Sequence, residues 1–159
     1  AADVAIWTRE PEQGDLIRRS LFESTVRAFA SAQYIRKYGA PKTVAELDSH
    51  RIIAYSGNPA QHLDAMTWIE TSGREGMESR EAALRVNSVV AINYAVRAGI
   101  GIGMIPDYMT EDQTDLVPVL TDATLPTINL IYAYPEELKA SKKVQLLRDF
   151  LLSKISKNK

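Results

Sequence analysis

Residues 82–105, AALRVNSVVAINYAVRAGIGIGMI, contain the pattern that decides the fold. The segment Ala82–Val86 predicts a strand. Ser88–Ala98 has a broad apolar face at helical spacing, and its first residue is suited to cap the helix. Gly99 is suited to end that helix, and Gly101–Ile105 predicts a buried strand. A strand, a helix and a strand in succession predict an α/β architecture.

The rest of the chain continues this alternation. Further strands are predicted at 3–7, 16–30, 51–55, 66–70, 116–120 and 128–134. Further helices are predicted at 31–38, 44–49, 107–112 and 141–153. The segment 16–30 fits either two strands or one long bent strand. We expect 66–70 to pair with the strand before Asn87, so that 64–86 forms a hairpin.

Composition removes several classes of protein. The chain has 159 residues, 19 Lys and Arg against 20 Asp and Glu, and no Cys. This length suits one domain or two small lobes. Without Cys there is no disulfide framework, no Cys-ligated zinc and no thiol nucleophile. The net charge of −1 argues against a self-contained nucleic-acid-binding protein.

Targeting signals are not evident in the sequence. No stretch approaches the roughly 20 consecutive apolar residues of a membrane span, and no secretory signal pattern is present. We therefore expect a cytoplasmic protein that does not enter a membrane. The sequence begins at Ala1, without Met, inside a strand-like segment. Such a start fits a processed N-terminus and a fragment of a longer chain equally well.

Three glycines, Gly99, Gly101 and Gly103, superficially match a dinucleotide-binding loop. They follow a helix and open a strand, whereas such a loop follows a strand and opens a helix. We interpret them as a helix stop followed by close packing of a buried strand.

The remaining chemistry-bearing residues do not favour catalysis. His50 and His62 lie 12 residues apart without the ligand spacing of a metal helix, and a metal site needs at least three converging ligands. The serines lack the Gly-x-Ser-x-Gly motif of an activated nucleophile. The sequence therefore predicts no catalytic residue, no metal site and no cofactor.

Candidate binding residues lie where strands end and helices begin. Free backbone N–H groups at the helix start Asn87, Ser88 and Val89 suit an anion, and the helix dipole favours negative charge there. Ser31 marks a second junction of this kind. For both serines the alternative is plain helix capping. Trp7 ends a strand, where ligands bind in open α/β sheets, and its alternative is core packing.

The order of several short segments resembles the effector-binding region of LysR-type transcriptional regulators over nearly the whole chain. The segments are DVAI (3–6), LIRRSL (16–21), ASAQYI (30–35), YGAPKTVAEL (38–47), VNS (86–88), AVRAGIGIGMIPDY (95–108), LVPVL (116–120), AYP (133–135) and SKKV (141–144). Each segment is unspecific alone, and their order carries the resemblance. Two positions depart from the family pattern: Trp7 stands where Arg is usual, and Ala32 where Pro is usual.

The resemblance implies a fold like that of type 2 periplasmic binding proteins, with one complete lobe and part of a second. Residues 1–18 and 123–159 would belong to the first lobe, and residues 19–122 to the second. A small, often anionic effector would bind between the lobes. Together with Ser31 from the helix-start argument, the candidate effector-binding residues are Trp7, Thr8, Ser31, Ser56, Asn58, Asn87, Ser88 and Val89.

The resemblance also implies partners. The effector would control DNA binding by a full-length homo-oligomer, a dimer or tetramer, whose winged helix-turn-helix lies N-terminal to this sequence. Two other functions stay open on the residues alone. A solute-binding module of transport type should carry a signal peptide and two complete lobes. A small α/β enzyme should show a nucleophile or metal constellation.

Overall fold

A computed structural model describes residues 5–7, 14–57 and 64–157. The strands in these ranges are β1 (Ala5–Trp7), β2 (Leu16–Ser31), β3 (Ile53–Tyr55), β4 (Leu84–Val86), β5 (Gly103–Pro106), β6 (Leu116–Val119) and β7 (Thr127–Pro135). The helices are α1 (Ala32–Tyr38), α2 (Asp64–Thr71), α3 (Val89–Arg97) and α4 (Lys142–Lys157). Short 3-10 helices cover Val44–Ser49, Asp107–Met109 and Glu136–Leu138. The predicted α/β class is confirmed.

The chain divides into two compact units, and the first comprises residues 1–24 and 128–159. In this unit β7 is hydrogen-bonded to β1 and to β2. β1 runs antiparallel to β7, with Ile6 opposite Tyr132. Tyr132, Tyr134 and Val144 form a buried core. The Tyr132 hydroxyl donates to the Val144 carbonyl oxygen at 2.8 Å, which fixes α4 against the sheet.

The second unit comprises residues 25–127. Here β2 lies between β5 and β6 and runs antiparallel to both. β3 and β4 run parallel to each other. A parallel bridge between Ile52 and Ile102 sets β3 beside β5 in the same direction. The order across the unit is therefore β4-β3-β5-β2-β6, and α2 and α3 both pack on β3 and β5.

The core of the second unit forms because apolar side chains from both helices meet the central strands. The fully buried side chains at this contact include Ile53, Met66, Ile69, Ile92, Val96, Met104 and Ile105. Burying a side chain of this size stabilises the fold by about 1.5–3 kcal/mol. This unit therefore has a core of its own.

The three spaced glycines have the structural roles expected for them. Gly99 ends α3 with a φ of +77°, a conformation that favours glycine. A Cβ atom at Gly101 would lie 2.6 Å from the Arg51 carbonyl oxygen. A Cβ atom at Gly103 would lie 2.6 Å from Ile92 and 2.8 Å from Val96. Close packing, and not phosphate binding, accounts for the motif.

The predicted strand at 66–70 and its hairpin are wrong. Asp64–Thr71 forms α2, and Ala65, Met66 and Ile69 are buried along one face of it. β4 pairs with β3 in parallel and not with the 66–70 segment. The pair Trp68-Ile69 favours a strand, and eight residues are too few to display a helical period clearly.

The 16–30 segment forms one continuous 16-residue strand, which is one of the two alternatives left open by the sequence. It contributes to both units, because the division falls between Ser24 and Thr25. The lobe limits implied by the resemblance, 1–18 with 123–159 and 19–122, stay a prediction. The helix expected at 107–112 is shorter, since only Asp107–Met109 forms a 3-10 turn after Pro106. None of the described helices is long and apolar enough to cross a membrane.

Candidate functional site

The ends of β3 and β4 bring several of the predicted residues to one edge of the second unit. The two strands are parallel, and their last residues, Tyr55 and Val86, lie opposite each other. Ser56 and Asn87 therefore leave the sheet at the same edge. The backbone N–H of Ser56 donates to the Val86 carbonyl oxygen at 2.8 Å, and its hydroxyl lies 3.4 Å from the same oxygen. These bonds tie the two strand ends together.

The start of α3 completes this edge. Ser88 is the N-cap, with extended backbone, and its hydroxyl accepts a bond from the Ala91 N–H at 3.4 Å. The N–H groups of Val89 and Val90 have no acceptor inside the helix, as in the first turn of any α-helix. No acidic side chain lies in this first turn. The positive end of the helix dipole is therefore unopposed by charge within the turn, and it favours an anion.

Ser31 does not lie at this edge. Its hydroxyl caps α1 by accepting the Tyr34 N–H at 3.0 Å, and the residue is buried. It also lies beside Gly99, at the far end of α3 from Ser88. β2 runs antiparallel to β5 and so ends at the opposite edge of the sheet. α3 is nine residues long, which is roughly 13 Å, and this length of helix separates Ser31 from Ser88.

The other predicted contacts belong to different parts of the chain. Trp7 is the last residue of β1 and pairs with Ile131 in the first unit. Thr8 and Asn58 lie outside the described residues. The structure thus brings together Ser56, Asn87, Ser88 and Val89 at one edge of the second unit. The contributions of Trp7, Thr8 and Asn58 stay predictions.

The opposite edge of this unit holds a polar cluster that the sequence did not predict. The hydroxyl of Tyr34 lies 2.7 Å from Nδ1 of His50 and accepts the Arg51 N–H at 3.2 Å. Partial burial lowers the pKa of His50, with a smaller opposing effect from Glu46. Burial also raises the pKa of Tyr34. Both side chains are therefore neutral near pH 7, and their role here is to hold the start of β3.

Arg80 is the buried centre of a second polar cluster. Only 3% of its side chain is exposed, and its Nε donates to Asp48 at 2.7 Å. Its two terminal nitrogens donate to the carbonyl oxygens of Ile69 and Val44, each at 3.2 Å. The Arg80 guanidinium holds the pKa of Asp48 below its usual value, with help from Arg74. These contacts span 11 to 36 residues, so no local sequence pattern could have indicated them.

The described residues, 5–7, 14–57 and 64–157, contain no group of three or more His, Asp or Glu side chains placed to hold a metal ion. His50 is engaged with Tyr34, while His62 lies outside the described ranges.

Comparison with known proteins identifies the family. The family model described as "LysR substrate binding domain" matches residues 1–156. The chain therefore belongs to the LysR substrate-binding-domain family, and the resemblance noted in the sequence is confirmed. This is a family of transcriptional regulators, not of enzymes.

Individual relatives agree with this assignment. An HTH-type transcriptional regulator from Xanthomonas campestris is 30% identical over 159 residues, covering 98% of this chain and 46% of that protein. CrgA from Neisseria meningitidis serogroup C is 22% identical over 160 residues, and the match covers 98% of this chain and 52% of that protein. The chain thus spans about half the length of the curated relatives it matches.

Solved structures agree on the fold. The regulatory domain of CrgA from Neisseria meningitidis superposes with a TM-score of 0.79 at 22% identity, covering 96% of this chain and 74% of that one. The Synechocystis PCC6803 CcmR regulatory domain, solved in complex with 2-PG, superposes with a TM-score of 0.69 at 18% identity. The match covers 95% of this chain and 72% of that one. The mixed α/β architecture is that of LysR regulatory domains, a periplasmic-binding-protein-like fold.

Proposed function

We propose that this chain is the effector-sensing part of a LysR-type regulator and that it binds a small anion at the β3–β4 edge. The anion would accept bonds from the N–H groups of Val89 and Val90 and from the side chains of Ser56 and Asn87. Support comes from the convergence of two strand ends and a helix N-terminus at one edge. A carboxylate is the simplest ligand that fits such a group of donors.

The rest of the assembly follows from the family. We propose that Trp7, Thr8 and Asn58 complete the site, and that Ser31 acts as a helix cap outside it. Binding would shift the balance between two conformations of a cytoplasmic homo-oligomer, because an effector acts only through its different affinities for them. DNA would be bound by a winged helix-turn-helix N-terminal to these residues. The chain itself would bind and release the effector without changing it.

Nuclear magnetic resonance titration of the 159-residue chain with a panel of small mono- and dicarboxylates tests this proposal. The backbone amides of Val89 and Val90 should shift first and saturate together, because they would donate directly to the anion. Asn87→Ala and Ser88→Ala should weaken that binding.

A matched control is available within the same unit. Ser31 caps α1 as Ser88 caps α3, so Ser31→Ala removes the same kind of bond at the opposite edge. It should leave carboxylate binding unchanged. If no carboxylate shifts the amides at 89 and 90, or if Ser31→Ala weakens binding as much as Ser88→Ala, the proposed site is wrong.

A further inference from the structure

A separate cleft of about 360 Å³ lies between α2 and β4. It borders the proposed anion site through Ser56, but the start of α3 does not line it. Five of its lining residues carry hydroxyl groups and two carry charges: Tyr55, Ser56, Thr67, Thr71, Ser79, Glu70 and Arg85. A polar lining of this kind fits a small hydrophilic ligand.

The two charged residues form an ion pair with unequal exposure. Arg85 Nη1 lies 3.0 Å from Glu70 Oε1, and only 7% of the Glu70 side chain is exposed against 50% of Arg85. A buried carboxylate is costly unless it is paired, and Arg85 supplies that pairing. The guanidinium keeps further N–H donors, since it carries five in all. The cleft therefore offers a carboxylate and a cationic donor side by side.

The hydroxyl groups near Glu70 favour hydrogen-bond donors in the ligand. Thr67 donates its hydroxyl to the Asp64 carbonyl oxygen at 3.0 Å, and Thr71 donates to the Thr67 carbonyl oxygen at 3.4 Å. Each threonine oxygen then presents lone pairs, which accept bonds. Together with the Glu70 carboxylate, they suit an ammonium group.

The charge balance of the cleft selects among ligands. Glu70 and Arg85 sum to zero, so a ligand with a net charge would face one like charge at close range. In an α-amino acid the ammonium and the carboxylate are attached to one carbon atom, which gives them a spacing similar to that of the protein's ion pair. Such a ligand engages both charges without separating Glu70 from Arg85.

We propose that this cleft binds the zwitterionic head of an α-amino acid, with the ligand carboxylate on Arg85 and the ligand ammonium on Glu70. This site is distinct from the anion site at α3 and does not depend on it. A regulator with both sites would respond to two metabolites, one anionic and one zwitterionic.

Three small probes test the proposal by calorimetric titration of the full chain. L-Serine carries both charges, L-glycerate has the same configuration with a hydroxyl in place of the ammonium, and ethanolamine lacks the carboxylate. L-Serine should bind at least about tenfold more tightly than either of the others, since each of them loses a charge-assisted hydrogen bond. Equal affinity for L-glycerate would contradict the role of Glu70 as the partner of the ligand ammonium, and no binding of L-serine would end the proposal.

Variants locate the binding. Glu70→Gln keeps the size of the side chain and removes its charge, while Arg85→Gln replaces the guanidinium with a shorter, neutral amide. Each should weaken L-serine binding about tenfold or more. Arg97→Gln is the matched control, because Arg97 forms an exposed ion pair with Asp115 away from the cleft. It should bind L-serine normally. Thermal melting of each variant checks that it folds, and normal binding by a folded Arg85→Gln would overturn the assignment.

The two proposed sites give separable outcomes. Ser88→Ala should keep its affinity for L-serine, whereas Glu70→Gln should keep the carboxylate response at Val89 and Val90. Loss of L-serine binding in Ser88→Ala would mean that the ligand occupies the α3 site, and it would contradict a second cleft. Failure of the carboxylate titration alone would leave the L-serine result standing.

Discussion

The hydroxyl oxygen of Tyr34 lies 2.7 Å from Nδ1 of His50 and accepts the backbone N–H of Arg51. The hydroxyl oxygen has two lone pairs, so the tautomer of His50 decides whether Tyr34 donates to Nδ1 or accepts from it. In the tautomer with an unprotonated Nδ1, protonation of His50 would reverse this bond. Burial lowers the pKa of His50 and so favours the neutral histidine in the turn before β3.

Stability should fall when His50 is protonated. Burial lowers the pKa of His50 in the folded protein below its unfolded value of 6.5. Between 6.5 and the lowered pKa the unfolded chain binds more protons than the folded chain. The free energy of unfolding therefore decreases as the pH falls from 6.5 through the lowered pKa. At a pH above 6.5 the full stability is present. Thermal melting between about pH 8 and about pH 5 should show this loss.

His50→Asn is the comparison for that measurement, because its side-chain oxygen can accept from Tyr34 and does not titrate. The variant should lose less stability than the unmodified chain over the same pH range. All other ionisable groups are the same in both proteins, so their contributions cancel in the difference. Parallel pH profiles for the two proteins would contradict the role given to His50.

Gly101→Val should destabilise the second unit by about 1–3 kcal/mol. Its Cβ atom would lie 2.6 Å from the Arg51 carbonyl oxygen, a backbone atom that cannot move without shifting the bridge to Ile102. Gly14→Val is the control, since no atom of the described residues lies within 4 Å of a Cβ atom there. Chemical denaturation of both variants measures the effect, and equal midpoints would contradict it.

The two serine caps should differ in their contribution to stability. Ser31→Ala should cost about 1–2 kcal/mol, at the upper end for a helix cap, because its bond to Tyr34 is short and buried. Ser88→Ala should cost about 0.5–1 kcal/mol, because its bond to Ala91 is longer and more exposed. Urea unfolding of the two variants gives the comparison, and a larger cost for Ser88→Ala would reverse the prediction.

Arg80→Met should be severely destabilising, by about 2–3 kcal/mol, because the Val44 and Ile69 carbonyl oxygens lose a buried donor. Arg74→Met tests whether the charge on Asp48 accounts for this cost. Arg74 donates to the same carboxylate at 3.0 Å but makes an exposed contact, which contributes less than about 1 kcal/mol. Calorimetric melting of the two variants should separate them clearly.

The elements with a strong local pattern were predictable. α3 has its capping serine, its apolar face and its terminal glycine in one continuous stretch, and β7 is apolar over most of its length. α2 was not predictable, because its eight residues include Trp68 and Ile69, which favour strands. Local patterns also give no strand direction, and the antiparallel course of β2 is what removes Ser31 from the site.

The polar contacts were less predictable than the elements. Asn87 and Ser88 follow from the strand-to-helix pattern around them, whereas Ser56 was implied only by the family resemblance. Glu70 and Arg85 are 15 residues apart on different elements, and only the fold brings their side chains to 3.0 Å. Arg80 resembles any surface arginine in the sequence, yet its guanidinium is enclosed by backbone carbonyl groups.

The missing side chain at Gly103 has a mechanical consequence. Ile92 and Val96 occupy the space that a Cβ atom would fill, so α3 is seated directly on the backbone of β5. A helix held this closely has no clearance to slide along its axis, because packed cores change between discrete arrangements and do not deform continuously. A displacement of α3 by an anion bound at its first turn would therefore be transmitted to the whole sheet. The second unit would then move as one rigid body when the anion binds.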